Sequence, residues 1–289
     1  MIEKRLINRS MDEAATRSPL AENGHAGMFT RAGATIRYWV SGEAHAPAIV
    51  CTHGVTLDHG TFAGQAPALR DAGYRVITWD LRSHGLSRPS SERLRISVAV
   101  EDLNMLLDEA RVKRAVFMGE SFGGAIIQEF CRRYPQRVAA LVLIGSPVLG
   151  DRLPWYQRVL QRVRPFLLRL WPEGHLRSVI PAFMSQRKEV QRYVAQAIQP
   201  LDKMDFVWVT EVAVEALLDL DPLPEVAVPM LLVHGEDEML MVARLIQRRA
   251  AQNPQMTLAV IDGAGHLAHN DNHAAFNKVL LAFLRQLES

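Results

Sequence analysis

The sequence predicts an α/β fold built on a mostly parallel, doubly wound sheet with an inserted helical segment. Three observations carry this expectation. Six short runs, 47–53, 74–80, 114–119, 139–145, 229–235 and 257–262, are β-branched and apolar almost throughout. Parallel strands buried on both faces have that character. Helix-length segments at 61–72, 98–110, 122–134, 240–252 and 272–287 lie between or after them, and this alternation is the mark of βαβ units. From 149 to 222 the alternation stops: the pieces there are helix-like and separated by Pro154, Pro165, Pro172, Gly174, Pro181 and Pro200.

Each segment takes its place in that frame. Residues 35–41 (TIRYWVS) alternate polar and apolar, which predicts an edge or antiparallel strand. Residues 1–26 read as a flexible N-terminal extension, punctuated near its end by Pro19 and Gly24, with Gly27 just beyond. Residues 27–148 and 223–289 then form the core, and 149–222 form a helical cap. The cap's large apolar residues, among them Trp155, Phe166, Leu170, Trp171, Phe183, Met184, Tyr193, Phe206 and Trp208, are expected mostly to pack on one another, with a few lining a pocket. Its charges are split: 152–192 carry nine Lys/Arg against two Glu, and 201–225 carry one Lys against seven Asp/Glu. Two solvated faces that pair with each other explain this better than an acidic ligand does.

Composition narrows the function. The chain has 289 residues, of which 48% are hydrophobic and 22% charged, the balance of an ordinary globular protein. Thirty-three Lys/Arg against 31 Asp/Glu leave a net charge of +2, and no basic stripe interleaved with aromatics suggests nucleic acid. Cys51 and Cys131 read as buried free thiols, and no Cys/His spacing suggests a metal or a cofactor. The N-terminus lacks the apolar core of a secretory signal, and no stretch reaches the ~20 apolar residues of a membrane span. A cytoplasmic protein is the expectation, with homo-oligomerisation left open.

The chemistry is concentrated at GESFGG, 119–124, which directly follows the run RAVFM and opens the helical segment AIIQEFCRRY. A serine hydroxyl attacks well only when it stands clear of the backbone within reach of a base. A sharp strand-to-helix turn exposes Ser121 in this way, and Gly119 and Gly123 leave the chain room to approach itself. The helix N-terminus behind it offers unpaired N–H groups to developing negative charge.

With this elbow go HGVTLDH (53–59), WDLRSHGLS (79–87), HGEDE (234–238) and GAGHLAH (263–269), in that order along the chain. From about Gly27 onward the chain therefore resembles the α/β-hydrolase superfamily. It departs in having Ser83 where the D-x-R-G-x-G-x-S turn has glycine. The resemblance implies Ser121 as nucleophile and His266 as general base. Glu238 is the favoured acid, with Asp237 the alternative, because the family's acid falls three residues after the glycine that ends this strand. The backbone N–H groups of Val55 and Phe122 are the implied oxyanion hole, and both side chains can also be read as pocket wall. Glu120, Asp58 and His59 are given supporting roles at most, and Asp80 and Arg82 the fastening of a turn. His53, His84 and His234 read as structural, and His269 as a residue of the pocket entrance. Together these imply hydrolysis of a small hydrophobic ester, thioester or lactone. The rivals are C–C bond cleavage of a β-diketone-type substrate by the same triad, adventitious perhydrolase or haloperoxidase chemistry, and a non-catalytic small-molecule sensor.

Overall fold

The computed structural model describes residues 24–88, 90–150, 153–221 and 228–287. Eight strands form one sheet: β1 (Gly24–Arg31), β2 (Ala34–Ser41), β3 (Ala48–Thr52), β4 (Arg75–Trp79), β5 (Ala115–Glu120), β6 (Val138–Ile144), β7 (Met230–Gly235) and β8 (Met256–Ile261). Their order across the sheet is β1-β2-β4-β3-β5-β6-β7-β8. All neighbours from β4 to β8 pair in parallel, whereas β2 pairs antiparallel with both β1 and β4. The six apolar runs are thus the parallel strands.

Two apolar layers make the sheet doubly wound. One face packs on α2 (Ile96–Glu109), α3 (Phe122–Arg133) and α8 (Leu240–Gln252) through residues such as Leu103, Ile127 and Ile246. The other packs on α1 (Ala66–Asp71) and α10 (His273–Gln286) through Leu69, Phe276 and Leu280, with the single turn α9 (Ala268–Asp271) before α10. Cys51 and Cys131 are both buried free thiols.

Two expectations need correction and a third is narrowed. Residues 24–26, assigned to the extension, begin β1, which pairs with β2 along its whole length from Gly24–Ser41 to Arg31–Ala34. Two glycines and a largely exposed edge position gave this strand no apolar pattern to recognise. Residues 1–23 lie outside the described residues. Of the two readings open for 35–41, the antiparallel one holds: β2 pairs antiparallel on both sides and lies inside the sheet, next to β1. β8 is not buried on both faces: it is the other edge, and Leu258 and Val260 are exposed there.

Between β6 and β7 lie four helices, α4 (Trp155–Leu170), α5 (Glu173–Met184), α6 (Lys188–Ala197) and α7 (Lys203–Leu218). Asp202 starts α7 with a capping box, accepting from the Asp205 N–H at 2.8 Å while the Asp205 carboxylate accepts from the Asp202 N–H at 3.1 Å. A small core of Leu176, Val190, Val194, Ile198, Leu201 and Phe206 closes onto Leu57 and Leu267 from the two loops beneath. The basic and acidic segments do meet, as α4 packs on α7 with Arg162–Asp219 at 2.6 Å and Arg169–Glu211 at 2.9 Å.

The expected aromatic core of this insertion is not formed. Phe206 is buried, but Trp155 is 77% exposed, Phe166 59%, Leu170 68%, Trp171 44% and Phe183 59%. For α4 the reason is its orientation. It packs on α7, with Gln161 and Pro165 buried and Leu168 against the small core of the insertion, so the apolar residues opposite them face outward.

The WDLRSHGLS turn is held by polar contacts. Asp80 accepts from the Leu86 N–H at 2.6 Å and from the His59 N–H at 2.7 Å, and Arg82 grips Asp102 with two nitrogens at 2.7 and 2.8 Å. Ser83, where glycine was expected, adopts φ 64°, a left-handed conformation that costs an L-residue about 1 kcal/mol or more. Ser83→Gly is therefore expected to raise stability by about 1 kcal/mol. Urea denaturation followed by circular dichroism checks this, and a destabilised variant would show that the serine side chain holds the turn.

Candidate active site

Ser121 is the single residue between β5 and α3, with φ 50° and ψ −114°. Its N–H donates to the Ile144 carbonyl at 2.8 Å, which ties the turn to β6. A Cβ on Gly123 would stand 2.2 Å from the Thr52 carbonyl oxygen, and one on Gly119 would stand 2.6 Å from the Gly123 backbone. Those contacts show why both positions need glycine: the first turn of α3 lies directly on the ends of β3 and β5. Phe122 opens α3, so its N–H has no acceptor within the helix.

His266 lies in the loop between β8 and α9 and is buried. The loop is fixed on both sides of it. The Gly265 N–H donates to Asp271 at 2.8 Å, Asp271 also accepts from the Ser185 hydroxyl, and the Leu267 N–H donates to the Met184 carbonyl at 3.2 Å. Both carboxylate oxygens of Glu238 face the ring's Nδ1, at 2.9 and 3.0 Å. Glu238 is buried and also accepts from the Met239 N–H at 2.8 Å, while Asp237 is exposed. Of the two candidate acids, the fold brings Glu238 to the imidazole. Nδ1 then carries the donated proton, leaving Nε2 as the acceptor when the ring is neutral.

Sequence reasoning undervalued two residues here. Gly145, the last of AALVLIG, has φ 55°, and a Cβ there would stand 2.9 Å from Glu238 Oε2 and 3.0 Å from His266 Nδ1. Its position at the end of an apolar strand was the available signal. Glu120 is wholly buried, and its Oε2 accepts from the Gly54 N–H at 2.7 Å. Its Oε1 has no hydrogen-bond partner among the described residues and stands 3.6 Å from His266 Nε2. No pattern in the sequence could show that distance.

Burial of His266 favours the neutral ring, but the charge and hydrogen bond of Glu238, with Glu120 and Asp271, outweigh it and lift the pKa to about 9. Burial likewise pushes the Glu120 carboxyl up to about 7, although the imidazolium charge and the Gly54 N–H pull against that shift.

Ser121 and His266 line one cavity of about 150 Å³. An apolar hole of that volume takes up a benzene ring, which sets the scale of the group it admits. From the core the wall includes Phe122, Met239 and Val242; from the inserted helices come Gln161, Arg164, Val214 and Leu217. The aromatics of the inserted helices, some of which were expected to line a pocket, are not part of this wall. Val55 is not part of it either and packs instead on the main core. His269 is buried away from this cavity, with Nε2 3.0 Å from the Thr61 hydroxyl, so it does not stand at the entrance. His53 and His234 bond to backbone at 2.7 Å and His84 at 3.0 Å, in structural positions. Asp58 caps the turn His59–Phe62 and accepts from the Tyr193 hydroxyl of α6 at 2.9 Å. Among the described residues no group of three or more His, Cys, Asp or Glu is placed to hold a metal ion, and no helix is long and apolar enough to cross a membrane.

An eight-stranded, mostly parallel sheet, with a serine on a sharp strand-to-helix turn and a histidine after the last strand, defines an α/β-hydrolase. Comparison with known proteins agrees. Residues 43–273 match the family model described as serine aminopeptidase, S33, and the chain belongs to that hydrolase family. It is 25% identical to epoxide hydrolase A of Mycobacterium tuberculosis, over 89% of this chain and 96% of that protein. It is 30% identical to the magnesium-chelatase 30 kDa subunit of Rhodobacter capsulatus, over 81% of this chain and 86% of that one. A thermophilic esterase from Thermogutta terrifontis, solved with malate bound, superimposes with a TM-score of 0.78 at 21% identity, covering 92% of this chain and all of its own.

A rate that needs neutral His266 must rise with pH through the pKa of the ring. The midpoint of kcat/KM against pH is therefore expected above the ordinary histidine value of about 6.5. Glu120→Gln keeps an acceptor for the Gly54 N–H but removes a negative charge that favours the imidazolium, so it should move the midpoint to lower pH. A midpoint that stays in place would show that Glu120 does not act on the ring.

Proposed function

We propose that the protein is a serine hydrolase that cleaves a small carboxylic ester, thioester or lactone through an acyl-enzyme on Ser121. The observation that carries this reading is the shared cavity: a serine on a strained elbow and a histidine paired through Nδ1 with a buried carboxylate open onto the same space. The substrate carbonyl oxygen rests between the N–H groups of Phe122 and Val55, each such donor contributing on the order of 3 kcal/mol in the transition state. Ser121 Oγ attacks the carbonyl carbon and passes its proton to His266 Nε2, while Glu238 holds the ring and stabilises the imidazolium. The imidazolium then protonates the leaving group. A water molecule, deprotonated by the same nitrogen, attacks the acyl carbon and frees Ser121.

The serine at the elbow argues against epoxide hydrolysis despite the relative of that name, because the resemblance associates that reaction with an aspartate there. A cap enclosing a small site also argues for a small substrate over a long peptide. The residues 149–222 are accordingly proposed as the cap. Labelling with a fluorophosphonate followed by peptide mapping should modify Ser121, and Ser121→Ala should abolish both labelling and turnover of p-nitrophenyl butyrate. Labelling elsewhere overturns the site; stoichiometric binding of small molecules without turnover favours the sensor. Glu238→Gln should lower kcat by roughly 10²- to 10⁴-fold, whereas Asp237→Asn should leave it within about two-fold.

One residue refines the substrate class. Arg164 lines the cavity, and its only side-chain bond among the described residues is to the neutral Gln161 Oε1 at 3.2 Å. Although much of its surface is exposed, the packing around the guanidinium lowers its pKa below the usual arginine value. A cation with no carboxylate partner among the described residues, at the wall of an apolar cavity, suits a substrate that carries an acidic group. The mono-p-nitrophenyl ester of succinic acid should be preferred to p-nitrophenyl butyrate, and Arg164→Gln should lower that preference about 10- to 100-fold. Equal losses on both esters would show that the arginine acts only through packing.

A further inference from the structure

Outside the active site, the most anomalous surface is the outer side of α4, whose sequence is WYQRVLQRVRPFLLRL. Over its sixteen residues it has four arginines and no acidic residue. At 100° per residue, the exposed apolar positions Trp155, Leu160, Val163, Phe166, Leu167 and Leu170 fall within an arc of about 140°. Arg158, Arg162 and Arg169 lie together along one flank of that arc, and Arg164 lies on the other. The helix is about 24 Å long. Gln161 and Pro165, on the opposite side, are its buried positions. The usual arrangement is therefore inverted, with the apolar face turned outward. Trp171, 44% exposed, extends the patch past the helix end.

A face of this size on a monomer implies a partner. Its charge says which kind. Aromatic and aliphatic residues flanked by arginines, without acidic neighbours on the same helix, are the composition of a helix that lies in the headgroup layer of an anionic bilayer. Arg158 has no partner among the described residues. Among the described residues, Arg162 and Arg169 are held only by exposed pairs with Asp219 and Glu211, which lipid phosphates can displace in water. A second copy suits the face less well, since a two-fold contact would bring the arginine flanks of both copies together.

We infer that α4 is a membrane-surface docking element, which seats the protein peripherally on anionic lipid. The same helix lines the catalytic cavity through Gln161 and Arg164, so docking sets the cavity beside the lipid. Each arginine brought to the surface should strengthen binding on the order of five-fold, and the buried apolar side chains add to that.

Co-sedimentation of the full chain with vesicles tests this. Binding to phosphatidylglycerol mixed about one to three with phosphatidylcholine should exceed binding to phosphatidylcholine alone by roughly ten-fold or more, and should weaken in about 0.5 M salt. Trp155→Asp with Phe166→Asp should reduce binding at least about ten-fold, and Arg158→Ser should reduce it on the order of five-fold. Both variants alter exposed positions, and far-UV circular dichroism with a thermal melt establishes that they are folded. A milder pair, Leu160→Gln with Leu167→Gln, serves if the first does not fold. Absence of binding to anionic vesicles, equal binding to neutral ones, or folded variants that bind as the parent does would overturn the inference. So would a parent that is dimeric by light scattering and becomes monomeric with the same substitutions, which would assign the face to a second copy.

Discussion

The close approach of α3 to the ends of β3 and β5 is the constraint on which the site depends. Two glycines allow it, and Gly123 has backbone where any side chain would meet the Thr52 carbonyl. That contact forces the chain to turn within a single residue, and the single residue is Ser121. The strained φ of 50° is thus imposed by the packing of a helix on a sheet, and the parallel core on both faces supplies the stability that keeps it. The same packing presents the Phe122 N–H, because the turn ends where the helix begins.

The rest of the site is assembled at that rim from three loops. Glu238 follows β7, His266 follows β8 and Gly54 follows β3, so each comes from the carboxyl end of a strand in the parallel part of the sheet. Open α/β sheets gather their chemistry there because strand order fixes which loops are neighbours. Gly145 completes the arrangement by leaving room behind the carboxylate and the ring. Glu120 adds a second buried carboxylate, which joins the loop carrying Gly54 to the neighbourhood of His266 Nε2.

How much of this could be read in the sequence follows from the kind of signal each part leaves. Parallel strands leave short β-branched, apolar runs, five of them buried on both faces and β8 at the edge, so six of eight strands were legible, and the alternating β2 made a seventh. β1 was not, since an edge strand with two glycines needs only backbone pairing with β2. Ser121 was singled out by its strand-to-helix turn, and His266 and Glu238 by the positions that the resemblance implies; the fold places Glu238 against His266. The cavity wall was not: Gln161 and Arg164 reach it from α4, and nothing in local periodicity records how a helix sits on its neighbour. The same ignorance led the insertion's aromatics to be assigned to a core, when the residues that actually hold α4 down include a glutamine and a proline.

The anchoring of the loop after β8 to the inserted helices has a consequence for how this scaffold can be varied. Ser185 and the Met184 carbonyl, at the end of α5, bond to Asp271 and to the Leu267 N–H on either side of the imidazole, and Tyr193 of α6 bonds to Asp58 near the glycine loop. The insertion is therefore not an interchangeable module. A chimera that exchanged it for the corresponding segment of a relative would alter both the cavity wall and the seating of His266, unless Ser185, Asp271 and the Tyr193–Asp58 pair were transferred or matched together. New specificity is better sought by substitution along α4 and α7 than by recombination at the ends of the insertion.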